Sequence, residues 1–158
     1  MSTGDPPWAA YRFVRDVTPS AEQHRVHLHN LAIAELLFDA RNAYITEAVG
    51  ITWESMSAAG RTLVIRRLET DFEAEVPAGI ALKVGVRAVA RSRRTVTLDE
   101  AVWRVDPTAT IAVARSVHLV VRLEPPGAIE LPDDVVRRFE SYEGRPLPDG
   151  PTPFSPTL

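Results

Sequence analysis

Along the chain the spacing of apolar and polar residues changes period more than once, and each change marks an element. Residues 10–18, "AYRFVRDVT", read as a strand, which Pro19 ends because proline has no amide hydrogen and a fixed φ. Over residues 30–49 the period becomes helical. Glu35, Asp39, Asn42 and Thr46 recur at spacings of four, three and four, forming one narrow polar stripe. Leu31, Ile33, Leu36, Leu37, Phe38, Ala40, Tyr44 and Ile45 cover most of the remaining circumference, which predicts a helix enclosed on nearly all sides. Asn30 suits its N-cap and Gly50 its C-cap.

After a polar stretch read as a loop, residues 51–60, period two returns in four long runs rich in β-branched residues: 62–76, 80–91, 95–105 and 110–123. Alternation is clearest in Ile80, Leu82, Val84, Val86 and Ala88, and in Ile111, Val113, Arg115, Val117, Leu119 and Val121. The connections at 77–79, 91–94 and 106–109 are short, as between antiparallel neighbours. A further helix is expected over 132–143, with Asp133 and Asp134 complementing its N-terminal dipole. The predicted fold class is α+β, a five-stranded antiparallel sheet wrapped around a central helix, with a short C-terminal helix. Residues 1–9 are expected to form an arm, 10–143 a single domain, and 144–158, with five prolines, a tail that is loose or pinned on a neighbour.

Composition narrows the function classes. A chain of 158 residues, 45% hydrophobic and 25% charged, supports one domain with a real core. The absence of cysteine excludes disulfides and thiolate metal sites and fits a cytoplasmic setting. A net charge of -3 argues against nucleic acid as a partner. No leader-like N-terminus and no long apolar run is present, so neither a signal peptide nor a membrane partner is expected.

Candidate chemistry concentrates in residues 20–30, "SAEQHRVHLHN", which hold Glu22 and three of the four histidines. His24, His27 and His29 have a spacing that suits a metal only in an irregular loop with a second ligand cluster, so the stronger expectation is no metal and no cofactor. His118, on a late strand, reads as packed or dimer-facing, and "RSRR" at 91–94 as a solvated hairpin tip in preference to a phosphate site.

The order of elements resembles the hotdog fold. The helix region resembles the acyl-CoA thioesterase branch related to 4-hydroxybenzoyl-CoA thioesterase, which carries an acidic residue, a glycine, a His-Val-Asn-Asn type run, an aromatic three residues later and an Ala-Arg pair along the helix. Here "HLHN" at 27–30 takes the place of the run, Ile33 that of the aromatic, and Ala40 and Arg41 form the pair. The likeness continues through residues 66–105 and 112–123, and covers about 11–139. It implies an acyl thioesterase that hydrolyses an acyl-CoA or acyl-carrier-protein thioester, and with no thiolate in the chain the expected reaction is metal-independent. A single curled sheet leaves an edge and one side of the helix to be covered, so a homodimer or homotetramer is expected.

Aligned on Asn30, the family's aspartate falls at Gln23 and its glycine at Val26, so the carboxylate is displaced by one place and Glu22 becomes the favoured base. Gln23 can orient a water but cannot take its proton, and His27 is either a pocket donor or a polar cap. Thioester hydrolysis also needs donors for the oxyanion, which the first amides of a helix beginning near Asn30 supply. Asn30, Leu31, Phe38 and Trp53 are the candidates to contact substrate. Phe38, Trp53, Met56, Phe72 and Trp103 are assigned to the core, one wall of which is the acyl pocket. Two other classes stand beside this one. Glu22 and His27 have the five-residue spacing of the MaoC-like enoyl-thioester hydratase motif, and the displaced carboxylate is compatible with a non-catalytic acyl-binding hotdog dimer.

Overall fold

The computed structural model describes residues 4–20 and 27–150. In chain order the elements are a 3-10 turn (Pro7–Ala10), β1 (Phe13–Val17), β2 (His27–Leu28) and α1 (Asn30–Ala43), which runs on through a π turn (Tyr44–Ala48). Then follow α2 (Trp53–Ala58), β3 (Arg61–Phe72), β4 (Val76–Pro77), β5 (Leu82–Arg91), β6 (Thr95–Arg104), β7 (Ala109–Arg122), β8 (Gly127–Ala128) and α3 (Asp133–Glu143). The main sheet has the order β1-β5-β6-β7-β3, with β8 beside the end of β7, and every pairing in it is antiparallel. β2 and β4 form a small separate ribbon in which His27 pairs with Pro77 and Leu28 with Val76.

α1 packs on one face of this sheet. Its Ala32, Ile33, Leu37 and Ala40 join Leu82, Val84, Val86 and Ala88 of β5, Val96, Leu98 and Val102 of β6, and Ala112, Ala114 and Val120 of β7 in one buried cluster. The face of β7 that enters this core is therefore Ala112, Ala114, Ser116, His118 and Val120, all buried. Val113, Val117, Leu119 and Val121, the larger half of the alternating pattern, point to the other face and are only half-buried. Small side chains leave room where the helix crosses.

Tyr44 anchors the far end of α1. Its hydroxyl donates to Glu143 Oε1 of α3, while the Ala88 amide of β5 donates to both oxygens at 2.9–3.0 Å. Burial, then the Glu143 hydrogen bond, pushes the phenol pKa far upward and keeps it a donor.

Several expectations need correction. The sheet curls around one side of α1 only, so Leu31 and Phe38 share the outward stripe with Glu35, Asp39, Asn42 and Thr46 and are 65% and 54% exposed. The helix is not enclosed. His29 occupies the N-cap with extended backbone, and Asn30 is already the first helical residue. Residues 53–58, expected as loop, are helical because Thr52 and Ser55 cap each other's backbone amides reciprocally.

Met56 and Trp103 are buried as assigned, but Phe38, Trp53 and Phe72 are exposed. Trp103 lies on the face away from α1, edge-on to Trp8 and Tyr11. Gly85 makes this possible, since a Cβ there would stand 2.8 Å from the Trp103 ring. The described part of the tail is pinned on its own sheet. Arg91 N donates to Pro148 O, Gly150 N donates to Arg91 O, and Leu147 is buried.

Candidate functional site

Among the described residues no side chain caps the N-terminal end of α1. His29 turns the chain from the β2 ribbon into the helix, and the amides of Asn30 and Leu31 precede the first i to i−4 bond, which Ile33 N makes to His29 O at 3.3 Å. Beside this end runs a groove of about 410 Å³ lined by Leu28, His29, Asn30, Leu31, Ile33, Phe72, Ala74 and Glu75. Pairing of Leu28 with Val76 is what sets Glu75 next to His29. Glu75 is a carboxylate that sequence reasoning missed, since it becomes adjacent only through a two-residue ribbon. On the other side of the first turns a second groove of about 300 Å³ runs between residues 17–20 and Glu35, Leu36 and Asp39.

Of the predicted residues, those that are described fall in different places. Glu22 and Gln23, with His24, lie outside the described residues, and His27 is placed only by its backbone pairing. Asn30 and Leu31 share the groove at the helix end. Phe38 stands two turns further along, on the outward face. Trp53 lines a different cavity altogether.

That cavity, about 310 Å³, lies between α1, α2 and β3 and is lined by Ile45, Ile51, Met56, Leu63 and Ile65, with Arg41, Asn42, Thr46, Thr52, Trp53, Thr62 and His118. Behind it runs a buried polar chain. Arg41 donates from Nε and Nη2 to the two carboxylate oxygens of Glu100, each at 2.7 Å. Ser116 Oγ donates to Glu100 Oε1 at 2.6 Å, and His118 Nε2 lies 2.9 Å from Ser116 Oγ.

All four residues are at most 3% exposed. Burial first, then the Arg41 charge, lowers the His118 pKa from 6.5 to about 4, so the ring is neutral at pH 7. In the sequence Arg41 stood out only as part of a pair, and Glu100 and Ser116 were passed over. Their signal was polar residues at alternate positions of strands whose neighbours on that face are apolar. Among the described residues no group of three or more His, Cys, Asp or Glu side chains converges as metal ligands, and no helix is long and apolar enough to cross a membrane.

Solved structures similar to this chain share its architecture. A Staphylococcus aureus hypothetical protein in complex with CoA is 15% identical, with a TM-score of 0.75 over 91% of this chain and 89% of that one. A 1,4-dihydroxy-2-naphthoyl-CoA thioesterase from Synechocystis is 14% identical, with a TM-score of 0.70 over 80% and 94%. A Thermus thermophilus thioesterase complexed with coenzyme A and Zn is 21% identical, with a TM-score of 0.70 over 87% and 98%. No curated protein matches the chain. The sheet order, the central helix and these likenesses make the fold a hotdog fold. The family model of the thioesterase-like superfamily matches residues 17–139, and the chain belongs to that superfamily.

Proposed function

We propose that the protein is an acyl thioesterase that cleaves an acyl-CoA thioester at the N-terminal end of α1, with Glu22 as the base and without metal. The observation that carries this reading is the amide end of α1, uncapped by any described side chain, beside a groove large enough for an acyl group. The thioester carbonyl oxygen gains negative charge as water adds, and helix amides with the positive end of the dipole favour that charge. The Glu22 carboxylate takes the proton from water, and the thiolate leaves as CoA. Gln23 orients the water, His27 donates near the carbonyl, and Asn30, Leu31 and Phe38 contact the acyl group. The S. aureus and T. thermophilus structures hold CoA, which supports CoA in preference to a carrier protein.

The working unit in this reading is a homodimer. β3 is an edge strand of 12 residues with Ile65, Leu68 and Phe72 exposed, an arrangement that a second copy covers.

The test is free thiol release from a panel of acyl-CoAs, before and after exhaustive chelation. Glu22→Gln keeps shape and hydrogen bonding but removes the proton acceptor, and should lower turnover on the order of 100-fold. His27→Ala should cost less, and chelation nothing. Undiminished release by Glu22→Gln removes Glu22 from the mechanism and makes Glu75→Gln the next variant. Loss of enoyl absorbance in place of thiol release supports the hydratase class, and neither activity supports an acyl-binding dimer.

A further inference from the structure

The direction of each hydrogen bond in the buried chain can be worked out. A carboxylate only accepts, so Glu100 accepts hydrogen bonds from Arg41 and from the Ser116 hydroxyl. With its one hydrogen committed to Glu100, Ser116 Oγ must accept from His118, which places a hydrogen on Nε2. A neutral imidazole then has a bare lone pair on Nδ1.

No hydrogen bond joins Nδ1 to any of the described residues, and none joins Nη1 of Arg41 to them. Both side chains line the 310 Å³ cavity, whose apolar walls are Ile45, Ile51, Met56, Leu63 and Ile65 and whose lining also includes Asn42, Thr46, Thr52, Trp53 and Thr62. A ligand pocket of this kind has an apolar body and few fixed polar groups, and its volume sits at the lower end of the usual ~300–1,000 Å³. On that lining His118 Nδ1 is an acceptor and Arg41 Nη1 a donor, neither bonded to a described residue. An alcohol hydroxyl uses both, donating to His118 and accepting from Arg41, whereas an ether or a plain hydrocarbon leaves the lone pair unpaired at a real cost.

We propose that this cavity binds a small, mainly aliphatic molecule or acyl end that terminates in a hydroxyl, read by His118 Nδ1 and Arg41. The site lies at the second half of α1, 11 residues or about 17 Å along the helix from the Asn30 end, and does not depend on the thioesterase reading.

Hexan-1-ol and its isomer methyl pentyl ether test it on the full-length protein. Binding is followed through Trp53 fluorescence, assigned with Trp53→Phe, and through the imidazole nitrogen resonances. Wild type should bind the alcohol at least 10-fold more tightly than the ether, and its spectrum should show the Nε2-H tautomer with Nδ1 shifting on alcohol addition. His118→Phe keeps a ring of similar size and should bring the two affinities within about 2-fold. Should that variant fail to fold, the wild-type tautomer and its shift decide the matter alone.

Equal affinities in wild type, an Nδ1-H tautomer, or binding of neither probe would overturn the proposal. Two sources of ligand share this chemistry, and thiol release separates them. A preference for acyl-CoAs with a terminal hydroxyl that disappears in His118→Phe supports the cavity as the seat of the acyl end, and alcohol binding with no such preference supports a free alcohol. Absence of thiol release with alcohol discrimination intact sinks the thioesterase reading and leaves this one standing.

Discussion

Replacing Arg41 by Met keeps the apolar stem of the side chain and deletes the guanidinium, so its energetic effect isolates one ion pair. The pair is bidentate, with both bonds at 2.7 Å and side-chain exposures of 4% and 0%. Charges about 4 Å apart at an effective dielectric near 20 attract by roughly 4 kcal/mol. Removing one partner forfeits that attraction and leaves Glu100 buried with Ser116 as its remaining hydrogen-bond donor, a change expected to cost about 3–5 kcal/mol. Arg41→Met with Glu100→Leu removes both charges and should lie within about 1.5 kcal/mol of wild type, less destabilised than Arg41→Met alone. Urea unfolding followed by far-UV circular dichroism, at one fixed protein concentration because assembly adds to stability, measures all three. An Arg41→Met protein within about 1 kcal/mol of wild type would refute the reasoning, as would a double variant no more stable than Arg41→Met alone.

The remaining predictions are smaller in scope. The native His118 pKa of about 4 lies below the unfolded 6.5, so between these values the unfolded chain binds more protons and stability falls as pH falls. At about 1.4 kcal/mol per pH unit the loss reaches about 3 kcal/mol, and a urea series from pH 7 to 4 should show it in wild type but not in His118→Gln, other groups contributing equally to both. Leu68→Lys on the exposed edge of β3 should turn a dimer into a monomer of about 17.4 kDa by light scattering, and an unchanged mass would remove β3 from the interface.

How legible each part was follows from where its signal lies. Strand positions were readable because alternation is a local property, and β1, β5, β6 and β7 begin and end close to their apolar runs. Which face of β7 meets the core was not, because the large residues Val113, Val117 and Leu119 suggest burial while the helix demands the small Ala112, Ala114 and Ser116. Phe38 and Trp53 looked like core for the same reason, since type and period do not reveal where the sheet stops wrapping. Arg41 and Glu100 are 59 residues apart, and only the crossing of α1 over β6 joins them. The π turn after Ala43 has no signature in residue type.

The sheet order also sets a schedule for synthesis. Among the described residues β3 pairs with β7 alone, with Arg61 opposite Arg122 and Phe72 opposite Ala112. At roughly 5–20 residues per second the ribosome needs several seconds to travel the roughly 50 residues from Phe72 to Arg122. Throughout that interval Leu63, Ile65, Leu68 and Phe72 have no strand to pair with, and Arg66, Arg67, Glu69 and Asp71 interrupt the run with charge, in the manner of gatekeepers against nascent-chain association. A chain released before β7 is complete would present that edge permanently.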